Sequence, residues 1–236
     1  MIRSTLSAPI FSAALFDLDG VLIDTHEGIA ALWQRLARAR GVRLSADDID
    51  RHIFGCSPEH TVLALFSALD EVGRDQLLRQ VRAAEPDLAS RALPGATELV
   101  AALSAARVRL ALVTGASAAR TARVLDELRL ASCFQARVVW GDAARGKPAP
   151  DVYELAAARL GVQPSDCVVF EDAHSGVVAA VAAGAACVGV EANRPELLLA
   201  AGASWVVPGL DCVVSAGADA VEMRLPGSTL SFRPPG

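Results

Sequence analysis

Apolar and polar positions along the chain fall into two regimes. From Phe11 the run FSAALF is apolar and stops abruptly at Asp17-Leu18-Asp19-Gly20. A strand buried on both faces ends this way at the edge of a parallel sheet. Beyond it the period becomes helical. Ile29, Leu32, Trp33 and Leu36 make one stripe within a helix predicted over 27–40, stopped by Gly41. Further helices are predicted over 46–53, 58–69 and 75–88, with little strand signal between them. This stretch reads as a separate helical module.

At Leu93-Pro94-Gly95 the pattern changes. Short continuous apolar runs over 108–113, 136–140, 167–170, 186–190 and 205–207 read as strands. They are separated by helices predicted over 97–106, 118–128, 150–160 and 175–183. Strands buried on both faces and alternating with helices specify a parallel sheet covered on each side. The tail, 221–225 and 229–232 around Pro226-Gly227, reads as a hairpin. The expected fold class is α/β, a Rossmann-like doubly wound parallel sheet with an inserted helical cap. Its core would be discontinuous, 1–24 plus 91–236, with the cap over 25–90.

Composition narrows the function classes. Apolar residues make up 53 % of the 236 residues, enough for a real core. The net charge of −5 and an aromatic content of 5 % argue against a nucleic-acid surface, which needs broad basic patches or stacking platforms. The five cysteines form no CxxC pair, so neither a zinc site nor a disulfide framework is expected. No apolar run reaches the ~18 residues of a membrane span. The stretch from Met1 to Ala14 has only Arg3 as its basic part and is broken by Pro9, so it is not read as a signal peptide. A cytoplasmic enzyme is expected, with no nucleic-acid or membrane partner.

Candidate chemistry gathers at predicted strand ends, where open α/β sheets bind ligands. Asp17 and Asp19 follow the first strand, Thr114 the second, and Glu171 with Asp172 a third. Lys147 lies on a Gly-Lys-Pro loop. Carboxylates brought to one edge repel each other unless a cation sits among them, and hard oxygen donors favour Mg²⁺. The hydroxyl, backbone N–H groups and ammonium suit a phosphate dianion.

In order along the chain, Asp17-Leu18-Asp19-Gly20-Val21, Thr114-Gly115-Ala116-Ser117, Gly146-Lys147-Pro148 and Glu171-Asp172 resemble the four motifs of the haloacid dehalogenase superfamily. Each motif alone is weak, since turns of these compositions are common, but their conjunction in this order is specific. The resemblance implies roles. Asp17 would be the nucleophile, forming an aspartyl-phosphate, and Asp19 the general acid and base. Lys147 would neutralise charge at the reacting centre. Thr114 with the N–H groups of Gly115 and Ala116 would hold phosphoryl oxygens, with Ser117 a weaker candidate. Mg²⁺ would be held by Asp17, Asp172 and the main-chain carbonyl of Asp19, with Glu171 holding its water shell.

The resemblance also separates branches of the superfamily. Asp19 argues against a dehalogenase, whose halide leaving group needs no acid. The absence of lysine from Met1 to Leu130 argues against a Schiff-base phosphonatase. A β-phosphoglucomutase-like enzyme would carry a histidine at position 29 and an arginine at position 58, where this chain has Ile29 and Pro58. The resemblance therefore implies a phosphatase whose partner is a small phosphorylated metabolite, a sugar or polyol phosphate, with the mutase and an inactive ligand- or partner-binding member as alternatives. Substrate contacts are expected from the cap, with His26, Glu27, Arg51, His52, Ser57 and His60 as candidates. Asp151 is expected to cap the helix that follows the Lys147 loop.

Overall fold

The computed structural model describes residues 10–88, 91–191, 194–217 and 220–233. β1 (Ile10–Phe11), β2 (Ala13–Phe16) and β3 (Ile23–Asp24) open the chain. Four helices follow: α1 (His26–Arg38), α2 (Ala46–His52), α3 (Pro58–Leu65) and α4 (Glu71–Ala84), the last running into a 3₁₀ turn at Glu85–Asp87. Then come β4 (Arg91–Ala92), α5 (Ala96–Ala105), β5 (Arg109–Val113), α6 (Ala118–Glu127), β6 (Ala136–Val138) and α7 (Asp151–Leu160). After them stand β7 (Cys167–Glu171), α8 (His174–Ala182), β8 (Ala186–Val190), α9 (Pro195–Ala200) and β9 (Trp205–Val207). The chain closes with β10 (Val213–Ala216), β11 (Val221–Leu225) and β12 (Ser228–Phe232).

The main sheet has the order β6-β5-β2-β7-β8-β9, with every pairing parallel. β2 is central. The chain builds outward from it to β5 and β6 on one side and to β7, β8 and β9 on the other. This doubly wound order places a switch point beside β2, where ligands enter such sheets. Successive residues of the central strands face opposite layers. Ala14, Phe16, Leu110, Leu112, Val168 and Phe170 join one apolar cluster. Their neighbours Ala13, Leu15, Ala111, Val113, Cys167 and Val169 join another, against α7 and α8. That is why these strands lack any polar alternation.

The predicted hairpin is part of something larger. β11 and β12 form the centre of a four-stranded sheet in the order β1-β12-β11-β10, and Met223, Leu230 and Phe232 feed the first cluster. β1 and β10 carry too little pattern to be recognised from sequence.

Helices α1 to α4 enclose their own cluster around Trp33, Ile53, Phe66 and Leu77. They leave and rejoin the sheet through a two-stranded ribbon in which Ile23 pairs with Ala92 and Asp24 with Arg91. Two helix boundaries differ from expectation. α3 ends at Leu65 rather than near 69, because Phe66 leaves helical geometry at φ −124°, ψ 37°. α4 starts at Glu71 rather than 75, because Asp70 accepts a hydrogen bond from the Gly73 N–H and so caps an orphan donor. Asp151 is not a cap: Pro150 takes that position, and Asp151 pairs with Arg145.

Candidate active site

The ends of β2, β5 and β7 meet at the switch point. Asp17 leaves β2 with its N–H donated to the Phe170 carbonyl and its side chain buried. The Lys147 loop between β6 and α7 brings an ammonium into the same space. Lys147 Nζ donates to Asp17 Oδ1 at 2.8 Å and to the Val113 carbonyl at 3.2 Å, and it lies 2.5 Å from Glu171 Oε1. Tyr153 on α7, which the sequence did not single out, donates its hydroxyl to the same Glu171 oxygen. Asp172 Oδ2 is 2.6 Å from His26 Nε2 at the start of α1.

Two glycines make this crowding possible. A Cβ at Gly20 would lie 2.1 Å from Asp172 Oδ2, and its φ of +78° already favours glycine. A Cβ at Gly176 would sit 2.0 Å from Glu171 Oε1. Gly176 was invisible as a site residue because its role is to leave room.

Carboxylate oxygens of Asp17, Glu171 and Asp172 lie within 4.8 Å of one another. Glu171 Oε2 and Asp172 Oδ1 are buried with no hydrogen-bond partner among the described residues. Burial pushes the Asp17 carboxyl up to about 7 against the pull of Lys147, and burial likewise raises Glu171 and Asp172. Burial opposes the charge on His26 too, but Asp172 outweighs it and raises the imidazole. One ammonium cannot neutralise three buried carboxylates, and unpaired buried acceptors are costly. The donor set, all hard oxygen with two orphaned atoms, fits a divalent cation.

Asp19 stands apart from this cluster. Its carboxylate accepts from Arg120 Nη1 at 2.9 Å, Arg120 Nη2 at 2.7 Å and the Thr25 hydroxyl at 2.8 Å. Its side chain is thus engaged away from the cluster, in keeping with the expectation that only the main-chain carbonyl of Asp19 would serve as a metal donor. Arg120 was missed because it looks like an ordinary first-turn residue of α6. Its partner is 101 positions away.

Thr114 is buried beside Asp17 and Lys147 at the end of β5. Two expected phosphoryl donors are engaged elsewhere. The Ala116 N–H goes to Thr114 Oγ1 at 3.0 Å, and the Ser117 N–H goes to Glu85 Oε1 at 2.7 Å. Ser117 Oγ caps α6. Arg51 is not brought to the site: its side chain is 56 % exposed, pairs with Asp47 one turn away, and lines neither of these two clefts. His52 and His60 lie 3.2 Å apart on the helical unit, and Ser57 caps α3.

Two clefts flank Thr114 and Gly115 between the helical unit and the sheet edge. One, of about 70 Å³, holds Asp17, Asp19, Glu85 and Arg120 under Ile29, Trp33 and Ile53. The other, of about 530 Å³, is walled by Ser57, His60, Trp140 and Lys147. Trp140 Nε1 donates to Glu59 at 2.7 Å while the Arg82 guanidinium lies 4.5 Å from the indole centre, tying this edge to α3 and α4.

A family model for haloacid dehalogenase-like hydrolases matches residues 11–184. The chain belongs to this family. Among curated relatives of this haloacid dehalogenase-like chain, validoxylamine A 7'-phosphate phosphatase of Streptomyces hygroscopicus subsp. limoneus is 34 % identical, over 81 % of this chain and 91 % of its own. Hexitol phosphatase A of Escherichia coli is 35 % identical, over 78 % and 85 %. Beta-phosphoglucomutase of Bacillus subtilis is 31 % identical, over 78 % and 85 %. The chain thus stands with the phosphoric monoester hydrolases of the family and their mutase kin. No helix among the described residues is long and apolar enough to cross a membrane.

Proposed function

We propose that this chain is a cytoplasmic Mg²⁺-dependent phosphatase that hydrolyses a small sugar or polyol monophosphate. The observation that carries this reading is the buried Asp17 carboxylate, held by Lys147 beside two orphaned carboxylate oxygens. Asp17 and Asp172 would hold the ion, with the Asp19 main-chain carbonyl, and Glu171 would orient its water shell. When bound, Mg²⁺ supplies positive charge to the phosphoryl oxygens and the carboxylate cluster.

Asp17 attacks phosphorus, and the bond from phosphorus to the ester oxygen breaks. Asp19 gives its proton to that oxygen, and the alcohol leaves. Asp19 then takes a proton from water, whose oxygen attacks the aspartyl-phosphate and frees both phosphate and the Asp17 carboxylate. Lys147 and Thr114 bind the charge that builds on the phosphoryl group. We propose that the helical unit over 25–90 acts as a cap, excluding bulk water while the ester is bound.

The similarity to a phosphoglucomutase keeps a second reading in view, phosphoryl return to a sugar. Against it, Ile29 lines the smaller cleft with an apolar side chain, and Pro58 begins α3 without a cation. Neither position offers a cation to a distal phosphate. The test is phosphate release from a panel of sugar and polyol monophosphates, run beside β-glucose 1-phosphate with a trace of the 1,6-bisphosphate. Phosphate release from panel members supports hydrolysis; glucose 6-phosphate formation with negligible free phosphate selects the mutase.

A further inference from the structure

The smaller cleft contains one polar group that neither phosphoryl transfer nor the metal cluster uses. Glu85 sits in the 3₁₀ turn after α4 and is only 7 % exposed. Its Oε1 accepts the Ser117 N–H, docking the end of the helical unit on the first turn of α6. Arg123 reinforces that dock by donating to the Pro86 carbonyl at 3.0 Å. Oε2 is buried and has no partner among the described residues. Glu85 lines the cleft together with Asp17, Asp19 and Arg120. Arg120 gives Nη1 and Nη2 to the two oxygens of Asp19, its buried Nε has no partner among the described residues, and no hydrogen bond joins it to Glu85.

An orphaned buried acceptor is expensive unless something donates to it. Asp19 must reach the ester oxygen, so the alcohol part of the substrate occupies the cleft that Asp19 lines. Resting on the phosphatase reading, we propose that Glu85 is a specificity-determining residue that accepts a hydrogen bond from a hydroxyl of that alcohol. The same carboxylate repels a second phosphate. The substrate class is then a polyhydroxylated alcohol carrying a single phosphate and no other anionic group. Apolar walls at Ile29, Trp33 and Leu88 receive the carbon skeleton, and the one acceptor among them reads a hydroxyl. A site built to bond a hydroxyl discriminates strongly against the analogue lacking it. Like charges in a cleft of low dielectric repel far more than in water.

The test compares kcat/KM for three esters: a hexitol 1-phosphate, the hexitol 1,6-bisphosphate, and hexyl phosphate. The wild-type enzyme is expected to prefer the hexitol monophosphate to hexyl phosphate by at least about tenfold. Glu85→Gln keeps an oxygen for the Ser117 N–H but removes the charge. It should narrow the preference for monophosphate over bisphosphate by about tenfold or more, whereas Glu85→Asp should hold that preference within about threefold. A parallel loss on both esters, with the ratio unmoved in Glu85→Gln, would mean that Glu85 only docks the helices, and would overturn the proposal. Should Glu85→Gln not fold, equal wild-type rates on hexitol and hexyl phosphates overturn it instead. Absence of phosphate release from every ester, p-nitrophenyl phosphate included, is a different outcome and overturns the phosphatase reading itself.

Discussion

Arg120 holds both carboxylate oxygens of Asp19, at 2.9 and 2.7 Å, from a side chain only 1 % exposed. Fork-to-fork pairing fixes the carboxylate in a plane as well as a position. A proton-transfer group that must alternate between an ester oxygen and a water gains from such a fixed starting point. In the proposed mechanism Arg120 is thus a positioning residue for Asp19. Arg120→Met should cost about 3 kcal/mol, the lower end for breaking a buried pair, because Asp19 keeps some solvent. Urea denaturation measures this. It should also lower kcat by up to about 100-fold with less effect on KM, and Arg120→Lys should not restore it, since one ammonium cannot serve two oxygens in that geometry. In the Asp19→Asn background the stability cost of Arg120→Met should shrink.

The raised carboxyls set a pH dependence for the metal-free protein. Asp17 titrates near 3.8 when unfolded and about 7 when folded, so folding disfavours its charged form. As pH rises from 4 towards 7 the unfolded chain ionises first, and stability falls. Glu171 and Asp172 act in the same direction. His26 adds to it: its raised value lends stability at low pH that is lost as the ring deprotonates. Thermal melts in EDTA should therefore give a lower Tm at pH 7.5 than at pH 5.5, and Asp17→Asn should flatten the trend. A Tm that rises between those values would contradict the charge assignment.

Mg²⁺ should reverse that loss. At pH 7.5 millimolar Mg²⁺ should raise Tm, because a ligand bound only by the folded state stabilises it. The rise should vanish in Asp172→Asn, and EDTA should abolish turnover until Mg²⁺ is returned. Asp17→Asn should leave a folded protein with no turnover.

Lys147 is the only lysine among the 236 residues, so every other basic side chain but histidine is arginine. A compact ammonium fits between Asp17, Glu171 and the Val113 carbonyl, where a planar guanidinium would not. Lys147→Arg should lower kcat by about 10² or more, the scale of losing one electrostatic contact to the reacting centre. Amine-reactive labelling of the native protein should spare this buried residue and modify it only on unfolding, as read by intact mass.

Gly20→Ala should fail for two separable reasons. Positive φ costs a side chain roughly 1 kcal/mol, and the Cβ would press on the Asp172 carboxylate. The stability loss should appear in urea melts, and Mg²⁺ affinity by calorimetry should fall with it.

Apart from Lys147, which the Gly-Lys-Pro loop marked, the parts of this site that sequence exposed lie where an apolar run ends. Asp17, Thr114 and Glu171 stand at the ends of FSAALF, VRLALV and CVVF, whose continuity marks strands buried on both faces. Position along the chain is then position in the site. Arg120, Tyr153 and Glu85 lie inside or just after helical stretches, where a polar residue ordinarily faces water. Only pairing across 101, 18 and 32 positions makes them interior. Arg51 shows the opposite case, a helical charge that sequence offered to a ligand and that the structure pairs with Asp47 one turn earlier. The short strands β1 and β10 were hidden because two to four residues carry no period.

The ribbon of Ile23–Asp24 with Arg91–Ala92 means that the chain departs and returns at adjacent positions. Residues 25–90 are therefore, in topological terms, one very long hairpin loop. Loop-closure entropy grows only with the logarithm of length, about 0.6 kcal/mol per doubling, so the ribbon is nearly indifferent to how much polypeptide it closes. A short turn could bridge Asp24 to Arg91 in place of the helices, and a larger insert could be spliced there, with the strand register around Asp17 left intact. The backbone thus crosses between the two units only at this four-residue ribbon, and any replacement insert would have to supply anew the side-chain contacts that Thr25, His26 and Glu85 make with Asp19, Asp172 and Ser117.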